Sequence, residues 1–154
     1  TLHTNDAISS VGRMVDMGAE PYLIASVLEG LLAQRLGRRL CRHCATQVAL
    51  DDDRRARITD EEAALFNGRC AIGRGCDECS GSGFRGRLGF FELARINPRL
   101  RAAISQGRTV LDLREQVDAD FITMRQDGLD KAAAGITTIE EVLRATQDVD
   151  DSGG

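Results

Sequence analysis

The sequence predicts an α/β fold that is interrupted by a four-cysteine metal module and completed by a run of short helices. Three observations carry this expectation. Cys41-Arg42-His43-Cys44 and Cys76-Asp77-Glu78-Cys79 are two knuckles separated by 31 residues, and each two-residue spacer lets a tight turn aim both sulfurs at one point. A strand-like opening runs into helical periodicity before the first knuckle, and the apolar, aromatic Arg87-Leu88-Gly89-Phe90-Phe91-Glu92-Leu93 follows the second. From Asn97 onward the apolar spacing is helical and the loops are short.

Taken in order, Leu2-His3-Thr4-Asn5-Asp6-Ala7 reads as a strand running into a helix, with Asn5 or Asp6 as N-cap. Ile8, Val11, Met14 and Val15 recur at helical spacing, and Gly18 ends that helix. Pro21 suits the first turn of a second helix. Its apolar face is expected to comprise Leu23, Ile24, Val27, Leu28, Leu31 and Leu32. Arg38 to Leu40 reads as a short strand leading into the first knuckle. Residues 45–75 are polar and charged, with one short helix around Glu61 to Phe66. A stretch this poor in apolar residues cannot build its own core, so a metal substitutes for one. Gly81-Ser82-Gly83 then leads to the strand at residues 87–93, which returns to the main sheet. Four helices follow: Leu100 to Ile104, Leu111 to Val117, Met124 to Ala134 ended by Gly135, and Thr138 to Thr146. The last takes Thr137 or Thr138 as cap and places Glu140 and Glu141 in its first turn. The acidic, glycine-ended tail at 148–154 is expected to be disordered.

Length and composition bound the answer further. At 154 residues the chain can bury one ordinary core. It begins at Thr1 without an initiator methionine, and we read it as a piece of a longer protein whose N-terminal half is missing. No run approaches 18 apolar residues, and nothing resembles a signal peptide. The cysteines are therefore expected as thiolates in a reducing cytosol rather than as disulfides. The net charge of −4 divides into −3 over residues 1–34, +4 over 35–100 and −5 over 101–154, and nineteen of the twenty basic residues are arginine. A basic middle is suited either to phosphate contacts or to a solvated face around a metal module. An aromatic content of 4% argues against a base-stacking surface.

Among the chemistry-bearing residues, Cys41, Cys44, Cys76 and Cys79 are expected to hold a structural zinc ion, in preference to two disulfides or a redox pair. Four filled positions leave no site for a reactive water. Cys70 is a lone fifth thiol, and His43, as a spacer residue, is expected to face solvent. His3 stands at a strand end before a helix N-terminus, where phosphates tend to bind. Spacing alone favours an ordinary histidine beside an N-cap. Arg13 lies on the polar side of its helix, and Arg85 and Arg87 flank Gly86 in what reads as a solvated turn. Cys76 to Gly83 also fits one CxxCxGxG unit of the zinc domain in Hsp40-type chaperones, but that family uses four such units and only one is present.

Together the motifs resemble the C-terminal half of the secretion and pilus-assembly traffic ATPases, the type II secretion ATPase first and the type IV pilus extension ATPase next. The resemblance covers residues 1–147. It rests on Thr1-Leu2-His3-Thr4-Asn5-Asp6-Ala7, Met17 to Ser26, Ala33-Gln34-Arg35-Leu36, Arg38-Arg39-Leu40-Cys41, Gly83 to Gly89, Met124 to Leu129 and Gly135 to Arg144, in that order.

The resemblance implies a RecA-like P-loop ATPase domain. Residues 1–40 would end its core, 41–83 form an inserted zinc subdomain, 84–97 return to the core, and 98–147 make a helical C-terminal subdomain. Residues 148–154 would be a tail. It further implies that His3 matches the family's histidine box and senses the γ-phosphate. Arg13 and Arg87 match arginines with subunit-contact or phosphate-facing roles. ATP and Mg2+ would be cofactors of the longer parent, a homo-hexamer at the cytoplasmic face of the inner membrane that works with secretion or pilus platform proteins and not with nucleic acid. The P-loop and Walker B strand lie upstream in that family. No GxxxxGK[ST] occurs here and the only lysine is Lys131, so this chain alone is expected to be inactive. A stand-alone zinc module for nucleic acid or anionic lipid is the rival from a binding class, and a chaperone-like zinc domain is a third.

Overall fold

Where the metal module leaves and rejoins the chain, two long strands lie paired. A computed structural model describes residues 2 and 4–146; His3 and the tail at 148–154 lie outside the described residues. The elements are α1 (Ser9–Asp16), α2 (Pro21–Val27), β1 (Gly30–Leu40), β2 (Ala45–Ala49), α3 (Asp52–Arg55), α4 (Asp60–Ala64), β3 (Arg69–Gly73), a 3₁₀ turn (Asp77–Cys79), β4 (Phe84–Arg95), α5 (Pro98–Ser105), α6 (Val110–Arg114), α7 (Met124–Ala133) and α8 (Ile139–Thr146). β1 pairs with β4, and β2 pairs with β3. No helix among the described residues is long and apolar enough to cross a membrane. The chain divides into two compact units, 1–34 with 91–123 and 35–90 with 124–154, so residues 98–147 are shared between them.

In the first unit Ala7, Ile8, Val11, Ile24, Ala25, Leu31, Ala94, Ile96, Leu100, Ile104 and Leu113 form one apolar cluster. The N-cap of α1 is Ile8, without a side-chain cap bond, rather than Asn5 or Asp6; Asp6 instead ties the turn that enters the helix, its Oδ1 accepting the Ser9 N–H at 2.8 Å. Asn97 caps α5 by accepting the Leu100 N–H at 2.8 Å, with Pro98 in the first turn. Thr109 and Asp112 close a capping box on α6.

Three expectations about elements change here. The second helix ends at Val27, and Leu28 is already extended. Leu31 and Leu32 therefore belong to β1, which begins at Gly30 rather than at Arg38. The physical reason is the ladder: a glycine is poor in a helix interior, while pairing with β4 supplies the backbone of residues 30–40 with partners. Leu2 and Thr4 adopt no strand. Residues 45–75 contain two strands that the charged composition concealed, with Ala45 opposite Gly73 and Ala49 opposite Arg69. They also bury Ile58, Phe66, Cys70 and Ala71, and β3 is covered by α7, so this segment is not without apolar burial. α4 is found as expected, started by a Thr59/Glu62 capping box.

In the second unit α7 packs on α8 and on β3. Gly135 ends α7 at φ +75°, with the Ile136 N–H reaching back to the Lys131 carbonyl at 3.0 Å. Thr138 is the cap of α8, its hydroxyl accepting the Glu141 N–H at 3.3 Å. The Thr137 hydroxyl instead donates to the Arg38 carbonyl at 2.8 Å, and the Leu40 N–H donates to the Ile136 carbonyl at 2.9 Å. Glu141, only 2% exposed, accepts from the Arg38 backbone N–H at 2.8 Å and from its Nε and Nη2 at 2.9 and 2.6 Å. Arg144 Nη2 adds a bond of 2.7 Å, and the Arg38 guanidinium also lies 4.1 Å over the Phe84 ring. Together these contacts fix the last residues of β1, immediately before Cys41.

Desolvation pushes the Glu141 carboxyl up, but the Arg38 side chain, the Arg38 N–H and Arg144 outweigh it and hold the group down at about 2. A carboxyl depressed on folding stabilises above its unfolded value near 4.5 and loses that contribution as pH falls toward 2. We therefore expect Glu141→Gln to cost about 2 kcal/mol at neutral pH and to flatten the decline in stability between about pH 5 and pH 2. Urea unfolding followed by circular dichroism at several pH values measures this; parallel acid limbs for variant and parent would contradict it.

Candidate metal centre

The first knuckle is the turn joining β1 to β2. The Cys44 and Ala45 N–H groups both donate to the Cys41 carbonyl, at 3.2 and 2.9 Å, which folds the four residues into a tight loop with both sulfurs on its inner side. The second knuckle is the 3₁₀ turn Asp77–Cys79, entered from an extended Cys76 and left through Ser80 in the left-handed region. The Cys79 and Gly81 N–H groups donate to the Cys76 carbonyl, at 3.2 and 2.9 Å. The two knuckles are tied together at Gly83, whose carbonyl accepts the Cys41 N–H at 2.9 Å.

All four sulfurs lie within 4.8 Å of one another. Cys41 and Cys76 are 3.9 Å apart, Cys44 and Cys79 3.8 Å, and Cys76 and Cys79 3.7 Å. A disulfide needs about 2.05 Å, so these are separate thiols, as is Cys70. A regular tetrahedron of sulfurs around a metal at about 2.3 Å has edges of about 3.8 Å. The three close pairs match that figure. The four cysteines are thus positioned to hold one metal ion.

The surroundings suit thiolate ligands. The Cys79 Sγ accepts backbone N–H bonds from Cys76 at 3.3 Å and Gly83 at 3.2 Å, the orienting contacts that stabilise sulfur charge. At Cys79 desolvation works upward, but those two amides together with hydrogen bonds from the Cys76 and Cys44 thiols outweigh it and pull the thiol down to about 6. Desolvation, joined by the neighbouring sulfurs, pushes Cys76 up to about 12. Four thiols this close cannot all ionise unaided, and a cation in their midst supplies the compensating charge.

The other residues singled out from the sequence fall elsewhere. His43 is exposed and outside the sulfur cluster. Cys70 is buried in β3 opposite Val48, and burial pushes its thiol up. Arg13 is exposed in the last turn of α1. Arg87 is exposed on β4, and Arg85 is exposed and paired with Glu78 at 2.7 Å. Arg39, Leu40, Arg42, His43 and Arg85 line a cleft of about 270 Å³.

Comparison with known proteins adds the lineage. The model of the type II/IV secretion system protein family matches residues 1–144. The chain belongs to this family. It is 42% identical over 147 residues to "Type IV pilus assembly ATPase PilB" of Thermus thermophilus, covering 95% of this chain and 16% of that protein. It is 41% identical to "Type II secretion system protein E" of Klebsiella pneumoniae (96% of this chain, 29% of that protein). "Type II secretion system protein HxcR" of Pseudomonas aeruginosa is 46% identical, with 96% and 28% covered. This member of the family therefore spans less than a third of the curated relatives it matches.

Sequence reasoning missed two parts of this type II/IV secretion system protein. One is the pair of N–H···S bonds, for which Gly83 after the second knuckle was the available signal. The other is buried acid in the first unit: Asp6 is 2% and Glu92 4% exposed. Glu92 was readable, because it alternates with Phe90 and Ala94 on the inward side of β4.

Gly83 has φ +77°, and a Cβ there would stand 2.6 Å from the Gly73 carbonyl oxygen; Gly81 has φ +76° and open space. Both alanine variants carry backbone strain of about 1 kcal/mol, but only Gly83→Ala also collides with backbone. We expect Gly83→Ala to release metal to a chromogenic chelator at least about tenfold more readily than Gly81→Ala. Equal release from the two variants would contradict the close backbone approach as the support of the site.

Proposed function

We propose that this chain is the C-terminal part of a RecA-like P-loop ATPase that powers type II protein secretion through pseudopilus assembly. The observation that carries the reading is the similarity to type II secretion proteins and to a pilus assembly ATPase across nearly the whole chain. Pilus extension is the second reading, favoured by the 42% identity to the Thermus protein. Residues 1–40 and 84–97 end the ATPase core, 41–83 form the metal subdomain and 98–147 the helical segment. The phosphate-binding loop and Walker B strand belong to an upstream part. The working assembly is a homo-hexamer, peripheral at the cytoplasmic face of the inner membrane.

The metal is Zn2+. The all-sulfur donor set, the tetrahedral edge lengths and the N–H···S bonds support zinc. When bound it supplies a cross-link and no reaction, because four thiolates fill its coordination shell. Cys41, at the end of β1, and Cys79, shortly before β4, are then held together independently of the short strands between them.

ATP hydrolysis proceeds by positioning and charge stabilisation rather than by a covalent nucleophile. In this reading His3 faces the γ-phosphate as a sensor and not as a general base, and Arg13 and Arg87 meet phosphate or a neighbouring subunit. The protein that includes the upstream part should hydrolyse ATP, and this chain alone should not. His3→Ala should lower kcat by about a hundredfold. Steady-state phosphate release measures all three; undiminished turnover in His3→Ala would remove the histidine from the mechanism. Removing zinc with a chelator should raise hydrogen exchange across residues 41–83 ahead of the rest of the chain. Unchanged protection there would refute the structural role of the metal.

A further inference from the structure

The corner between α7 and α8 closes one edge of β1 just before the first knuckle. In an antiparallel ladder the backbone groups of alternate residues point to opposite sides of a strand. The Cys41 N–H donates to the Gly83 carbonyl at 2.9 Å, on the side where the chain enters β4. Arg38 and Leu40 direct their groups the other way. The Arg38 N–H donates to Glu141 Oε2 at 2.8 Å, and the Leu40 N–H donates to the Ile136 carbonyl at 2.9 Å. Between them, the Arg38 carbonyl accepts the hydroxyl of the fully buried Thr137 at 2.8 Å. Three outward groups of the strand are thus satisfied by residues 136–141, and Cys41 is the next residue along the chain.

Burying a carboxylate is costly, and apolar residues of similar volume in place of a buried ion pair are often neutral or stabilising. Glu141 is therefore a poor choice for stability alone. Three of its four bonds come from Arg38, the backbone N–H among them, and the fourth from Arg144. What the acid provides over an apolar contact is a directed acceptor that sets one backbone amide, three residues before a metal ligand. Cys41 is consequently held from two edges, by Gly83 on one side and by the α7–α8 corner on the other. Outer partners of this kind fix the geometry of metal ligands, and their loss typically weakens metal binding ten- to a hundredfold.

We propose that Glu141 and Thr137 are positioning residues of the metal centre, acting through the backbone of Arg38, so that metal affinity and the seating of α8 on β1 are coupled. The proposal rests on the reading of the four cysteines as a zinc site given above. Neither residue belongs to the sulfur cluster; each holds the strand end so that Cys41 meets the ion in register. Coupling of this kind is reciprocal. The docked corner strengthens metal binding, the bound metal holds the first turn of α8 against β1, and a displacement of α8 from β1 weakens metal binding by the same factor.

The test uses the full-length protein containing this segment, with Glu141→Ala, Thr137→Val, Thr137→Ser and Val142→Ala. Val142 is the control: it follows Glu141, is fully buried, and faces Gly128 of α7 rather than β1. Zinc affinity is measured by competition with a chromogenic chelator, at one temperature well below the thermal unfolding of every variant. Glu141→Ala is expected to weaken zinc binding about tenfold, and Thr137→Val about threefold. Thr137→Ser, which keeps the hydroxyl, should bind zinc within about twofold of the parent. Val142→Ala should also bind within about twofold, although its unfolding temperature falls. If the parent holds no zinc, the reading of the cysteines fails, and the proposal with it. If the parent holds zinc and folded Glu141→Ala and Thr137→Val hold it as tightly, the metal site stands and the positioning role is overturned. A loss in Val142→Ala as large as that in Glu141→Ala would assign the effect to stability and overturn it as well. Thr137→Val preserves shape and decides the matter if Glu141→Ala does not fold; unfolding of both would overturn the proposal.

Discussion

Four sulfurs brought within 4.8 Å of one another are the constraint on which the second unit depends. Thiolates at such separations repel, and desolvation opposes their ionisation further. The backbone leaves the arrangement little freedom to spread, and a cation bound among the sulfurs would cancel the charge. The backbone support is visible in how the chain runs. The knuckles are closed by carbonyl-centred turns at Cys41 and Cys76, and they are joined to each other through the Gly83 carbonyl.

The helical end of the chain serves this arrangement directly. α8 reaches β1 through Glu141 and Arg38, and the turn before it reaches the Arg38 carbonyl and the Leu40 N–H. The strand entering the first knuckle is therefore set by side-chain charge on one side and by backbone pairing on the other. The same device recurs in the first unit, where Asp6 and Glu92 place buried carboxylates against backbone amides. In both units an acid that is costly to bury defines the position of a short backbone segment.

Much of this was legible in the sequence, and the failures have physical causes. The knuckle spacing carried the metal centre outright, because ligand geometry depends on a few residues and little on context. Caps at Thr138 and Gly135 were readable for the same local reason. The second helix was drawn too long because Leu31 and Leu32 continue its apolar spacing, whereas the β4 partner that makes them strand lies sixty residues away. β2 and β3 were hidden by their charged surroundings; each gains its regular structure from the other. The N–H···S bonds and the Arg38–Glu141 clamp depend on contacts across the fold that no local pattern encodes. Family membership came from ordered motifs spread over residues 1–144, not from any single one.

X-ray absorption at the zinc edge of the purified protein tests the central claim most directly, since it reports the identity and distance of the atoms around the ion. Four sulfur neighbours at about 2.3 Å, with no nitrogen or oxygen in the first shell, are the predicted result. A shell containing a nitrogen scatterer, which would bring in His43, or the absence of zinc altogether, would contradict it.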